Sequence, residues 1–519
     1  MLFDRSQQLQ HLDENKLWDV LVIGGGATGL GIALEAATRG YKTLLLEQAD
    51  FAKGTSSRST KLVHGGVRYL SQGDVKLVRE ATVERGLLYR NAPHLVKNQQ
   101  FIIPVYSHFD QWFYTIGLKM YDWISGRLSL GSSGSLSRQE TLKRLPGIKP
   151  DKLVGGVVYH DGQFDDSRLA INLFQTIVTC GGTAINYCKV TGLIKVNDKV
   201  SGVKAIDTET GREFILQAKK VVNATGVFVD DILKMDEAGK PNTICVSQGV
   251  HVVIDKKFYA ASSALMIPKT SDGRVLFAVP WHNKVILGTT DTPVDQPLLE
   301  PQALEKEINF ILDTAGTYLM HKPTRADVLS VYAGLRPLAA PQGKSKKTKE
   351  ISRSHKIIVS PSGLFTILGG KWTTYRKMGE DMVDEIEKGT QLHTTSKTGN
   401  LKIYGYLQEV DFKDPFYFYG SDAVKIKNRV ADDPEGWISK KLQIHKQQVL
   451  WAVSNEMART VEDVLSRRTR ALLLDAEESI RMAPAVATIM AEYFKYDEKW
   501  VREQVEAYTQ LAKNYLVRL

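Results

Sequence analysis

Cysteine is scarce in this chain: 519 residues contain three, Cys180, Cys188 and Cys245. No C-x-x-C pair occurs among them, which argues against a disulfide scaffold or thiolate metal centre. Free thiols in a reducing cytoplasm are the expectation. The eleven histidines include no H-E-x-x-H and no cluster at zinc spacing, so no metal is expected. Long apolar runs are also missing. The longest uncharged stretch, Leu169 to Cys188, is broken by Asn172, Gln175, Thr176, Thr179 and Gly181-Gly182. It reads as a helix, a glycine stop and a strand rather than a membrane span. Met1 to Lys16 is polar and charged, without the apolar core of a secretory signal. Internal repeats and low-complexity tracts are absent.

The length predicts two or three domains. A formal net charge of +10 admits an anionic substrate, an anionic membrane surface or nucleic acid. Part of the excess sits in Lys344, Lys346, Lys347 and Lys349, and part in Arg467-Arg468-Thr469-Arg470. A solvated face is the plain alternative for both runs.

The most informative segment is Trp18 to Glu47. Val20 to Ile23 form an apolar run fit for a buried parallel strand. Gly24, Gly26 and Gly29 follow on G-x-G-x-x-G spacing, then a helix to about Thr38. Leu44 to Leu46 form a second strand, and Glu47 stands at its end. The first glycine permits the tight turn, the second lets backbone approach a pyrophosphate, and the third lets the helix sit close. The helix N-terminus faces the phosphates, and Glu47 is placed to accept hydrogen bonds from an adenosine ribose.

Further on, helices are expected at about Asp74 to Tyr89, Ser167 to Thr179 and Thr373 to Lys388. Strands are expected at Thr183 to Tyr187, Lys220 to Asn223 and 364–368. Residues 240 to 360 are strand-rich, with alternating runs at Val275 to Val279 and Lys284 to Leu287. Residues 440 to 519 read as helical throughout, with amphipathic spacing at Val461, Val464, Leu465, Leu472 and Leu473. Two more glycine turns lie at strand ends. Ala224-Thr225-Gly226 resembles the turn that two-dinucleotide-domain flavoproteins place beside the FAD pyrophosphate. Gly369-Gly370-Lys371 precedes Thr373-Thr374. Three such turns suit one long cofactor, FAD, whereas NAD needs only the first.

The run Thr55-Ser56-Ser57-Arg58-Ser59-Thr60-Lys61-Leu62-Val63-His64-Gly65-Gly66-Val67-Arg68-Tyr69-Leu70 resembles the signature of FAD-dependent glycerol-3-phosphate dehydrogenases. So do Gly334-Leu335-Arg336-Pro337-Leu338 and Gly369-Gly370-Lys371-Trp372-Thr373-Thr374-Tyr375-Arg376. The match runs in order from about residue 17 to 390, and the C-terminal part resembles that family's accessory domain more loosely. The resemblance implies an α/β fold: a two-dinucleotide-binding-type FAD domain with a parallel sheet (15–95, 155–235 and 356–390), an inserted mixed-sheet substrate domain (96–154 and 236–355) and a C-terminal α-helical domain (391–519). It implies oxidation of sn-glycerol 3-phosphate to dihydroxyacetone phosphate, with electrons passed through FAD to a membrane quinone. The related α-glycerophosphate oxidases, which give hydrogen peroxide, often carry a long insertion for which this chain has no room. A flavoprotein that binds nucleic acid is the remote rival.

The same resemblance assigns residues. Ala27 and Thr28 join the glycines of the first turn at the cofactor. Thr55, Ser56, Ser57, Ser59, Lys61, Leu62, His64, Gly65 and Gly66 follow from the next loop. Val190, Ala224, Thr225, Gly226, Gly370, Lys371 and Thr373 complete the cofactor set. Arg68 and Arg336 offer planar forks that match phosphate oxygens, with Arg353 as a third cation and Tyr69 as a hydroxyl donor. His64 and His251 are both candidates for the base that takes the substrate hydroxyl proton. Lys371 steadies negative charge on the reduced flavin or binds substrate. Asp291 closes a strand and serves loop structure or catalysis. The aromatic stretch Gln111 to Ile124, beside Lys119 and Arg127, reads equally as an interfacial helix or as one packed on the substrate domain. The expected setting is the inner face of the cell membrane, on the cytoplasmic side, with a homodimer left open.

Overall fold

The computed structural model describes residues 3–14, 17–67, 74–270, 273–339, 354–388 and 394–517, the Arg127 side chain excepted. The strand Trp18–Ile23 is wholly buried at Val20, Leu21 and Val22. It forms the middle of a parallel array that runs Phe365–Leu368, Glu213–Asn223, Trp18–Ile23, Thr43–Leu46, Thr183–Ile185. Burial on both faces explains why Trp18–Ile23 and Thr43–Leu46 are apolar runs, whereas the first half of Glu213–Asn223, outside the parallel core, alternates. The helix Ala27–Thr38 packs on one face with Asp166–Thr179, joining Leu30, Ala33 and Leu34 to Leu169, Leu173 and Ile177. It also crosses Tyr375–Glu387 closely. A Cβ on Gly31 would lie 2.4 Å from the Tyr375 carbonyl oxygen, and one on Gly379 would lie 2.4 Å from that of Gly31. The hairpin Cys188–Val196 and Lys199–Asp207 extends the sheet from the near half of Glu213–Asn223.

A second, mixed sheet of ten strands is built around the long antiparallel pair Ile244–Asp255 and Val328–Ala339. The strand Gly155–Phe164, at the start of the segment expected in the cofactor domain from residue 155, pairs along its whole length with Val96–Val105 in the second sheet. Its alternating burial is too weak to assign it a sheet from sequence, because both of its faces are covered. The short strand Leu62–Val63 pairs with it, so the hydroxyl-rich loop before Leu62 passes from the first sheet to the second.

The C-terminal part is not helical throughout. A two-stranded ribbon, Trp437–Ser439 with Ile444–His445, precedes the helix Lys446–Asn455. Asp463–Arg468 winds as a π-helix, and Arg470 turns left-handed before Ala471–Leu474. Ala476–Phe494 and Glu498–Ala512 complete the bundle. Its core takes in Val253, Trp281, Ile286 and Tyr332 of the second sheet. The run Arg467-Arg468-Thr469-Arg470 is therefore no solvated face: all four residues are buried. The lysines at 344, 346, 347 and 349 lie outside the described residues.

Candidate functional site

The register of the parallel strands builds the first half of the site. Ile23 stands opposite Asn223 on one side and Leu46 on the other. Their successors Gly24, Ala224 and Glu47 therefore emerge together at the carboxyl edge, where open α/β sheets bind ligands. Gly24 has φ +112, and a Cβ on it would lie 2.6 Å from the Ala224 carbonyl oxygen. A Cβ on Gly29 would lie 1.9 Å from the Gly24 oxygen. The two turns thus abut, and backbone alone forms the surface. Ala27 N–H donates to Ser56 Oγ at 2.9 Å, which caps a helix whose N-cap, Gly26, has no side chain. Glu47 accepts from Gly25 N–H at 2.6 Å and Ala49 N–H at 2.9 Å. Burial pushes its carboxyl pKa up in spite of those two donors.

A cavity of about 1260 Å³ runs from this edge to the second sheet. Gly24, Gly26, Ala27, Thr28, Glu47, Val190, Ala224, Thr225 and Gly226 line one end. At the other end the walls carry Leu62, His64, Gly66, His251, Arg274, Thr289, Asp291 and Arg336. Thr55, Ser56, Ser59, Thr60, Gly370, Lys371 and Thr373 also face it. The backbone N–H of His64 donates to Thr373 Oγ1 at 3.3 Å, which ties the two loops together.

His251 is 2% exposed. Its ring stacks on Tyr332, its cross-strand partner, at 4.8 Å and 17°. Nε2 lies 2.8 Å from Thr60 Oγ1. Burial first, then the charges of Arg336 and Lys61, pushes the His251 pKa well below that of an ordinary histidine, so the ring is neutral at physiological pH. The Arg336 guanidinium donates to Thr290 O at 3.1 Å, and to Thr289 Oγ1 and Asp291 Oδ1 at 3.3 Å each. Asp291 also accepts from the Ser247 hydroxyl. A Cβ on Gly249 would lie 2.2 Å from Arg336 Nη2, so this glycine leaves the space the fork occupies. Asp291 orients an arginine at the cavity wall, and the structural and functional readings of that residue merge.

Residues 19–376 match the family model of FAD dependent oxidoreductases, and residues 365–501 that of the C-terminal domain of alpha-glycerophosphate oxidase. The mitochondrial glycerol-3-phosphate dehydrogenase of Macaca fascicularis is 38% identical over 99% of this chain and 75% of its own. That of Schizosaccharomyces pombe is 36% identical over 95% of this chain and 87% of its own. The crystal structure of the glycerol-3-phosphate dehydrogenase from Bacillus halodurans, complexed with FAD, superposes with a TM-score of 0.81 at 31% identity, covering 99% of this chain and 98% of that one. This chain belongs to the FAD-dependent glycerol-3-phosphate dehydrogenase family. The L-alpha-glycerophosphate oxidase of Mycoplasma pneumoniae, at 18% identity and a TM-score of 0.55, shares the fold.

In this glycerol-3-phosphate dehydrogenase family member, four residues expected at the cofactor, Gly29, Ser57, Lys61 and Gly65, do not line the cavity. Lys61 is fully buried and its Nζ bonds both carboxylate oxygens of Asp166 at 2.7 Å and the Ser57 carbonyl at 2.5 Å. Its cation is consumed holding the loop from beneath. Ser57 is buried and offers Lys61 that carbonyl. Gly65 N–H donates to Tyr121 Oη at 2.8 Å, and a Cβ there would lie 2.3 Å from Thr82 and Tyr121. Gly29 acts through close packing, as its spacing suggested. Arg68, Tyr69 and Arg353 lie outside the described residues. Thr60, Arg274, Thr289 and Tyr332 were missed. Thr60 and His251 are 191 residues apart, and no local pattern pairs them.

Proposed function

We propose that this enzyme oxidises sn-glycerol 3-phosphate to dihydroxyacetone phosphate with FAD and passes the electrons to a membrane quinone. The observation that carries the reading is one continuous cavity with a backbone-lined dinucleotide edge at one end and a neutral histidine beside an oriented arginine at the other. The residues present fit FAD. The abutting Gly24 and Ala224 turns admit no side chain where a pyrophosphate would lie, and the helix N-terminus at Ala27 suits its charge. Glu47 is placed for the ribose, and the Gly369–Thr373 turn lies against the flavin-side loop. When bound, FAD supplies the acceptor for the C2 hydride at its N5.

The chain's own groups do the rest. Arg336 matches a phosphate dianion with a planar fork. His251 and His64 both line the cavity, and a neutral imidazole is the form that can take the C2 hydroxyl proton. Lys371 adds a fixed cation at the cavity wall, useful where negative charge develops.

Membrane attachment is part of the same reading. The helix His108–Ser125 buries Leu118, Tyr121 and Ser125 and turns Phe109, Trp112, Phe113, Ile116, Met120 and Trp123 outward. Trp123 is 84% exposed. One face packs on the substrate-side sheet, and the exposed apolar side chains of the other support the interfacial reading. Among the described residues no helix is long and apolar enough to cross a membrane.

The experiment is anaerobic. Glycerol 3-phosphate mixed with the purified holoenzyme should bleach the flavin absorbance, and a quinone analogue should then restore it much faster than air does. Bleaching followed by reoxidation with oxygen at the rate of substrate turnover would instead establish an oxidase. A flavin that stays oxidised would remove the substrate assignment.

A further inference from the structure

His251 lines the cavity but shows it almost none of its ring, and its one hydrogen-bonded nitrogen faces Thr60. It is 2% exposed, its Nδ1 is buried with no hydrogen-bond partner among the described residues, and its Nε2 is covered by the Thr60 hydroxyl at 2.8 Å. Thr60 itself is half-buried and lines the cavity. Thr60 Oγ1 thus stands between the cavity and His251 Nε2, on a hydrogen-bonded path for a proton.

We propose that Thr60 is a catalytic residue, a hydroxyl relay that carries the substrate's C2 hydroxyl proton to His251. The inference rests on the proposed alcohol oxidation and adds a residue to it. The substrate O–H bond breaks as a new O–H bond forms on Thr60 Oγ1. The original Thr60 O–H bond breaks as an N–H bond forms on His251 Nε2. The electron pair left on the substrate oxygen becomes the second bond of the carbonyl as C2 releases its hydride to the flavin acceptor.

Three features prepare this path. The Thr60 hydroxyl is held in the loop whose neighbours are fixed from both sides: Ser59 O accepts from Tyr332 Oη at 3.0 Å, and Lys61 is pinned on Asp166. Tyr332 in turn stacks under the imidazole, so the ring and the hydroxyl share one support. Second, a Cβ on Gly288 would lie 2.4 Å from His251 Cδ2, so the cross-strand glycine leaves room for the ring in this placement. Third, the charges that act on His251 are Arg336 and Lys61, and Lys61 is already neutralised by Asp166. Arg336 has Asp291 beside it, and a phosphate dianion would add further negative charge there. Substrate binding would then make the imidazole a better proton acceptor at the moment the proton must move.

The relay requires Nε2 to be the unprotonated nitrogen in the resting enzyme, with the proton on Nδ1. The test pairs Thr60→Val, which keeps the shape and removes the hydroxyl, with Thr60→Ser, which keeps the hydroxyl. The readouts are the anaerobic rate of flavin reduction, its solvent deuterium isotope effect and the 15N shifts of the His251 ring, assigned by their loss in His251→Gln. Thr60→Val is expected to bind FAD and substrate normally, to slow flavin reduction by about a hundredfold and to lose the solvent isotope effect. Thr60→Ser is expected within a few fold of wild type. The wild-type 15N shifts should show Nε2 unprotonated, whether or not FAD is bound. Wild-type rates in Thr60→Val, equal losses in both variants, or a resting Nε2–H would each overturn the relay. Failure of the wild-type flavin to respond to glycerol 3-phosphate would overturn the proposed function, and the relay with it.

Discussion

Arg336 shows how a single side chain acquires its role. Glycine at 249 leaves its space, Asp291 and two threonine groups aim it, and it lines the cavity. Charge-assisted hydrogen bonds of this kind contribute about 1.5–3 kcal/mol. Arg336→Ala should therefore raise the substrate KM by roughly 10- to 100-fold while the flavin stays bound, and Arg336→Lys should fall between, since it keeps the charge and loses the fork. The same substitution removes one of the charges that depress the His251 pKa. The acid limb of the kcat/KM profile should then move to higher pH in Arg336→Ala. Steady-state kinetics from pH 5 to 9 with the flavin spectrum as a loading control check both; an unchanged KM would remove Arg336 from the site. Lys61 teaches the opposite lesson. It stands in the same hydroxyl-rich signature as His64, yet its ammonium lies under the loop on Asp166 and not in the cavity. The residue type was legible and its direction was not, because a left-handed φ of 62° at Lys61 reverses which neighbours face the cavity.

Among the elements, the helix His108–Ser125 is the one whose sequence pattern and surroundings answer different questions. Its aromatic spacing reveals an amphipathic helix. Which face is buried depends on Tyr121, whose hydroxyl reaches Asp161, Arg85 and the Gly65 N–H. With that face occupied, the exposed rings have no partner within the described residues that would bury them. Replacing Trp112 and Trp123 together by Ser should weaken cosedimentation with anionic vesicles about tenfold or more, the order expected for withdrawing two aromatic side chains from apolar surroundings. Flavin content and the rate of flavin reduction in detergent-free buffer should stay as in wild type. Equal sedimentation of variant and wild type would place the attachment elsewhere. The short strand Leu62–Val63 is a second such element: too short for any sequence signal, it is formed only because Gly155–Phe164 supplies an edge.

At the scale of the molecule, buried ion pairs fasten the C-terminal bundle to the cofactor domain. Arg467 and Arg468 both bond Asp50, three residues beyond Glu47. Arg168 pairs with Glu456, and Arg470 lies 3.0 Å from Asp165. Burial pushes the Asp50 carboxyl up, but the two guanidiniums outweigh it and hold its pKa well below the usual carboxylate range. The stabilisation this carboxylate contributes is therefore fully present above its unfolded pKa near 4 and is lost as pH falls through the lower folded value. Asp50→Asn leaves two guanidiniums buried against a neutral amide and should cost about 3–5 kcal/mol at pH 7. Thermal unfolding and flavin release, followed from pH 7 down to pH 3, should show the gap between wild type and variant closing as the solution becomes acidic. A gap that is absent at pH 7 or constant with pH would show that the clamp contributes little. The arginine run was visible in the sequence as charge; its burial became visible only with the acids that face it from a domain more than 400 residues away in the chain.

What the sequence determined by itself is local. Gly24, Gly26 and Gly29, the apolar strands on either side and Glu47 at the strand end specify the first βαβ unit, because turn geometry, close backbone approach and strand burial all act within about thirty residues. The signatures around His64, Arg336 and Gly369 marked loops that line the cavity. Tertiary structure alone decided which members of those loops face the cavity. Parallel register brought Gly24, Ala224 and Glu47 to one edge, antiparallel register set His251 on Tyr332, and the crossing of the loop between sheets put Thr60 on His251 and Lys61 beneath it. A side chain's direction follows from the φ and ψ angles of its loop and the partners that fix them, and those partners lie on strands that meet only when both sheets have formed.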